Sequence, residues 1–87
     1  MTDEKLANLG QRLRQYRKLR FPEDTQKSFA LRLNINKNTL SAMESGHDSV
    51  GIGHYFKAAQ LLGCGDQFDN LFVLPTKKSS LFDEDEP

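Results

Sequence analysis

The sequence has a single cysteine and no long apolar run. A lone thiol at Cys64 makes neither an internal disulfide nor a thiolate metal cluster, which fits a reducing compartment and leaves Cys64 to read as a small buried apolar side chain. No stretch approaches the roughly 18 apolar residues of a membrane span. The opening residues Met1, Thr2, Asp3 and Glu4 carry no basic stretch leading into an apolar segment, so they do not read as a secretory signal. These absences point to the cytoplasm and away from a membrane. Catalytic groupings are missing too. His47 and His54 have no cysteine or carboxylate set at ligand spacing, no serine sits in a nucleophile motif, and there is no glycine-rich phosphate loop. The expectation is a protein that is not an enzyme and holds no metal or cofactor, with His47 near a phosphate backbone and His54 a surface or half-buried helix residue.

Net charge is also lacking, since twelve basic residues balance twelve acidic ones. The balance is uneven along the chain. Residues 1–20 carry six basic groups against Asp3 and Glu4, whereas residues 75–87 carry Lys77 and Lys78 against Asp83, Glu84, Asp85 and Glu86. The head is thus net +4 and the tail net −2, one arrangement of a phosphate-binding surface. At 87 residues the chain has room for one modest core, so the expected organisation is a single domain over residues 1–74 followed by a flexible acidic tail over residues 75–87.

What is present is helical periodicity. Leu6, Leu9, Leu13 and Tyr16 recur at helical spacing with Arg12, Arg14, Arg17 and Lys18 between them, which predicts an amphipathic first helix over about residues 3–20 with a basic outer face. Pro22 ends it and makes residues 21–24 a loop. Thr25 is a fitting N-cap for a second short helix whose inner residues are Phe29, Ala30 and Leu33. Asn34 suits a left-handed turn position, and Asn36 suits the cap of a third helix. Leu40 and Met43 face inward there, leaving Lys37, Asn38, Ser41 and Ala42 outward, and Gly46 ends the helix. A fourth stripe runs through Ile52, Tyr55, Phe56, Ala59 and Leu62 to Gly63, and a short fifth helix is expected over residues 66–72. Leu71, Phe72, Val73 and Leu74 either finish that helix or pair as a strand with a second subunit. Leu81 and Phe82 are stranded in front of the acidic stretch.

Two short helices joined by a tight turn, with a polar outer face on the second, form the unit that places a recognition helix in the major groove. Ala30 is small where those helices cross, and Gln26 sits at a helix start where free amides and an amide side chain can meet phosphate. Through LGQRLRQYR, TQKSFALRLNINKNTLSAMESG and FKAAQLLGC, residues 9–72 resemble the Xre/Cro family of helix-turn-helix regulators. Within it, MESGHDSVGIGHYFKAAQLLG is most similar to HipB-like antitoxins, the companions of HipA-like serine/threonine kinase toxins.

The resemblance implies an all-α, compact five-helix, lambda-repressor-like helix-turn-helix domain. It further implies a homodimer on a palindromic double-stranded operator, repression of the protein's own operon in the cytoplasm at the nucleoid, and a complex with the kinase. Carried over by position, it makes Lys37, Asn38, Ser41 and Ala42 base-facing and places Thr25, Gln26, Asn36, Thr39 and Ser45 near phosphates. It makes Arg17 and Glu44 a structural ion pair, and Leu71, Phe72, Val73, Leu74, Leu81 and Phe82 are then candidates for partner or dimer contacts. Lysine can bond guanine acceptors and asparagine can bond adenine bidentately, at about 1 to 3 kcal/mol of discrimination each, whereas Ala42 offers only apolar contact. The sequence departs from the pattern in a longer loop holding Pro22, Glu23 and Asp24, in Asn34 where glycine is commoner, and in Gly51 and Gly53 at the start of the fourth helix. The acidic loop residues sit close to the expected phosphate contacts, where they either weaken them or turn the loop away. The alternative is an interaction module that binds and inhibits a partner without reading DNA; the basic content of the first helix together with Lys37 and Asn38 argues against it.

Overall fold

The computed structural model describes residues 3–75. They form α1 (Glu4–Arg20), α2 (Gln26–Leu33), α3 (Lys37–Ser45), α4 (Ile52–Leu62) and a 3-10 segment, Gly65–Asn70, with no strand among the described residues. The fold is the expected all-helical one of five helical elements. The acidic stretch, including Leu81 and Phe82, lies outside the described residues.

Local chemistry sets each boundary. Asp3 Oδ1 accepts from the Lys5 amide at 2.8 Å and opens α1, and Arg17, Lys18 and Arg20 in its last turn oppose the negative end of the helix dipole. Thr25 and Ser28 form a reciprocal capping box: the Ser28 amide donates to Thr25 Oγ1 at 3.1 Å and the Thr25 amide donates to Ser28 Oγ at 2.9 Å. Asn34 closes α2 in the left-handed region at φ 58°, and the Ile35 amide reaches back to the Ala30 carbonyl at 3.0 Å. Two residues later Asn36 Oδ1 accepts from the Asn38 amide at 2.6 Å and starts α3. The turn between α2 and α3 is thereby specified by two asparagines with different roles.

The core joins Leu13 of α1, Phe29, Ala30 and Leu33 of α2, Leu40 and Met43 of α3, and Ala58 and Leu62 of α4. Phe29, Leu40 and Met43 are the largest fully buried side chains. Where α1 crosses the end of α3 the backbones nearly touch. A methyl group on Gly10 would fall 2.5 Å from the carbonyl oxygens of Met43 and Glu44, and one on Gly46 would fall 2.6 Å from Cα of Ala7. Gly46 also needs its glycine for a φ of 82°. These two glycines fix how far α3 stands from α1, and so where its outer face lies.

Three expectations are corrected. Arg17 is not on the basic outer face of α1 but buried at 4% exposure, because it points toward α3. In α4 the buried residues are Ala58 and Leu62, with Tyr55 half-buried, whereas Ile52 is 59% and Phe56 39% exposed. The described residues do not cover the whole apolar stripe of α4, so only one edge packs on the core among them, and Phe56 instead meets Phe68 edge-on at 5.3 Å. The fifth helix is a tight 3-10 segment ending at Asn70 rather than reaching Phe72. Six residues with one half-buried apolar side chain, Phe68, have too little to bury to hold a regular helix. Beyond it Leu71, Phe72, Val73 and Leu74 neither extend a helix nor pair with another described residue as a strand, and all four are exposed, with Phe72 in the left-handed region at φ 63°.

Candidate nucleic-acid interface

The outer face of α3 follows from its two anchors. With Leu40 and Met43 fully buried, the 3.6-residue repeat turns residues 37, 38, 41, 42 and 45 away from the core. Lys37, Asn38 and Ser45 are exposed, while Thr39, Ser41 and Ala42 are half-buried beside them. Asn38, Thr39 and Ala42 also form one wall of an open hollow of about 340 Å³ whose other wall is Ser49, Gly51 and His54. The imidazole Nδ1 of His54 is buried there without a hydrogen-bond partner among the described residues. His47 lies exposed in the loop after α3. His54 against the recognition helix escaped sequence reasoning, because its proximity to Asn38 and Ala42 depends on how the loop after Gly46 folds back.

Three helices are tied together behind that face. Arg17 grips Glu44 with both ends of its guanidinium fork: Nε donates to Oε2 at 2.7 Å and Nη2 to Oε1 at 3.1 Å. Gln26 Nε2 donates to the same Oε1 at 2.9 Å. The Arg17 and Glu44 side chains are 5% and 3% exposed, so this network crosses from α1 to α3 and α2 where water hardly reaches. A bidentate, charge-assisted pair constrains orientation as well as distance. The Gln26 bond was not legible in the sequence, which pointed only to a residue at a helix start. In the structure its amide nitrogen steadies the end of α3, and its carbonyl oxygen is outside that bond.

Thr25 and Asn36 are exposed, and each spends an oxygen on a helix cap. Both caps hold the first turns of α2 and α3, whose leading amides point outward with partial positive charge. In the loop before α2, Asp24 accepts a two-point contact from Arg32, whose guanidinium also lies 4.6 Å from the centre of the Phe21 ring. The hydrogen bond from Arg32 holds the Asp24 carboxyl below the usual aspartate value, against the opposing effect of desolvation, and Asp24 in turn raises Arg32. One of the two acidic loop charges is therefore folded back onto α2, and Glu23 stays exposed.

Among the described residues no three histidine, cysteine or carboxylate side chains gather as a metal site, and no helix is long and apolar enough to cross a membrane. Two short helices across a tight turn, the second with a polar outer face locked from behind, define a helix-turn-helix DNA-binding unit. In comparison with protein families, the family described as helix-turn-helix matches residues 23–68, more than half of the sequence. The chain belongs to the Xre/Cro-like helix-turn-helix family of DNA-binding transcription regulators. No curated protein and no solved structure gave a match.

Proposed function

We propose that the protein is a dimeric repressor that reads a palindromic operator through α3, with Lys37, Asn38, Ser41 and Ala42 toward base edges and Thr25, Gln26, Asn36, Thr39 and Ser45 toward phosphates. The observation that carries this reading is the two-sidedness of α3. Its apolar side is fully buried and its end is held by Arg17 and Gln26, while Lys37 and Asn38 stay exposed with side chains suited to guanine and adenine. Residues 1–74 are the DNA-binding domain in this account, and residues 75–87 a separate acidic segment.

Dimerisation is supported by the apolar surface left uncovered at the far end of the domain. Ile52 and Leu71 line a groove with Leu6, Leu9 and Phe68, and Phe72, Val73 and Leu74 follow directly, exposed by 90%, 61% and 48%. Such a patch, uncovered by the described residues, suits burial against a second copy. The same patch also favours a partner protein, and the similarity of residues 43–63 to HipB-like antitoxins makes a HipA-like serine/threonine kinase the partner of choice, with the operon of the pair as the site of repression.

Selection of bound sequences from a random duplex pool tests the operator reading. A palindrome with half-site centres about 34 Å apart is the expected result; no enrichment leaves an inhibitor that binds only protein. Co-purification with a HipA-like kinase, lost on Phe72→Ser with Leu74→Ser, tests the partner, and a kinase that never co-elutes removes the antitoxin role while leaving operator binding standing.

A further inference from the structure

The side of α1 away from α3 carries a surface that reading DNA through α3 does not use. Gly10 and Arg17 turn toward α3, which leaves Arg12 and Leu19 on the far side of the helix and the half-buried Tyr16 on its flank. Arg12, Gln15, Tyr16, Leu19 and Arg20 line a shallow groove of about 310 Å³. Leu19 is 73% exposed, and the Arg20 guanidinium lies over the Tyr16 ring at 5.5 Å from its centre. Past Tyr16 the surface continues into a second hollow that Arg12 and Tyr16 share with Tyr55, Cys64 and Gln67.

The charges on this face are not spent. The ion pairs among the described residues are Arg17 with Glu44 and Arg32 with Asp24, so the groove's Arg12 and Arg20 have no carboxylate partner there, and both are exposed. A groove with an apolar floor, an aromatic ring and cations at its edge selects a peptide that combines apolar side chains with carboxylates. The sequence contains such a peptide. Leu81 and Phe82 are followed immediately by Asp83, Glu84, Asp85 and Glu86. The described chain reaches Pro75 only eight residues after Gln67, which already borders the second hollow. From Pro75 to Leu81 six extended residues span up to about 20 Å.

We infer that the face of α1 around Arg12, Tyr16, Leu19 and Arg20 is a docking surface for acidic, apolar-headed peptide, and that its occupant is residues 81–86 of the same chain. Leu81 and Phe82 lie against Leu19 and Tyr16, and the carboxylates face Arg12 and Arg20. Docking neutralises the α1 cations and keeps them from unspecific contact with phosphates.

Amide NMR spectra of the full 87-residue protein test this without any DNA. Replacing Leu81→Ser with Phe82→Ser should shift the amides of Gln15, Tyr16, Leu19 and Arg20 while leaving residues 37–45 in place. Arg12→Glu with Arg20→Glu should shift the amides of residues 81–86, and high salt should reproduce part of that change. Arg12 and Arg20 are exposed, and unchanged amides of Phe29 and Leu40 report an intact fold. The inference is overturned if the shifts are absent, if they fall on the Ile52 and Leu71 groove or on α3, or if they fade on dilution, which would make a second copy the donor of the segment.

Discussion

Replacing Arg17 by methionine removes a charge while keeping most of the side-chain volume, so its effect reports the network and not a cavity. The Glu44 carboxylate is 3% exposed and loses both guanidinium bonds, keeping only the amide of Gln26. Stranding one member of a buried pair costs about 3 to 5 kcal/mol. A domain of this size has on the order of 4 to 13 kcal/mol in total, so the variant should lose about a quarter or more of its stability. At roughly 4 to 8 °C per kcal/mol the melting point should fall by about 12 °C or more. The double replacement Arg17→Met with Glu44→Leu is the informative partner. It exchanges the pair for apolar contacts in the same space, and the Gln26 amide, on a half-buried residue, regains water. Urea unfolding should find the double variant within about 1 kcal/mol of wild type, as for other buried pairs exchanged for apolar groups. If the single variant loses less than about 1 kcal/mol, or the double variant is as unstable as the single, stranded charge is not what holds α1 to α3.

Other consequences are as direct. Gly10→Ala should destabilise by about 1 to 3 kcal/mol despite the better helix propensity of alanine, because the new methyl group meets the carbonyls of Met43 and Glu44 at 2.5 Å. Gly53→Ala, with nothing within 4 Å of the added atom, should stabilise by about 0.5 to 1 kcal/mol; urea midpoints of the two variants moving the same way would contradict this. Asp24 has a folded value held below 3.8 by Arg32, so its contribution is present above that value and fades as pH falls through the lower folded one. Asp24→Asn should accordingly flatten the acid limb of the stability profile between about pH 5 and pH 2, and an unchanged limb would speak against the Arg32 contact in solution. Asn38→Ala should relax base preference at one position of each half-site by about 1 to 3 kcal/mol, read from binding to single-base operator variants.

Much of the fold was legible because short polar side chains act locally. Thr25, Asn34, Asn36 and Gly46 each have a role set by their own backbone geometry, and that geometry is what the structure contains. The buried faces of α2 and α3 follow from spacing for the same reason. What could not be read depends on neighbours. Gly10 in mid-helix looks only like a weak position until α3 is brought against it, and Gln26 at a helix start gives no sign that Glu44 is within 2.9 Å. In α4 the spacing marks Ile52 and Phe56 as apolar, but whether they are covered depends on what packs beside them, and among the described residues only the edge of Phe68 meets Phe56 while Ile52 stays 59% exposed. Leu71, Phe72, Val73 and Leu74 pose the same problem, since their apolar character demands a neighbour that the chain's described residues do not supply. Arg17 shows the limit of charge counting. It adds to the basic total of the first twenty residues, yet it is neutralised inside the protein and contributes little to the field outside it.

Equilibrium binding of the purified protein to its selected duplex, measured by fluorescence anisotropy across a salt series, bears most directly on the reading of α3. Wild type should prefer that duplex over random sequence and weaken steeply with salt, as counterions are released from the phosphates. Lys37→Ala with Asn38→Ala should keep the fold and bring the two duplexes close to equal affinity. A double variant that still discriminates between them as well as wild type does would contradict the account, because base reading would then belong to a face other than that of α3.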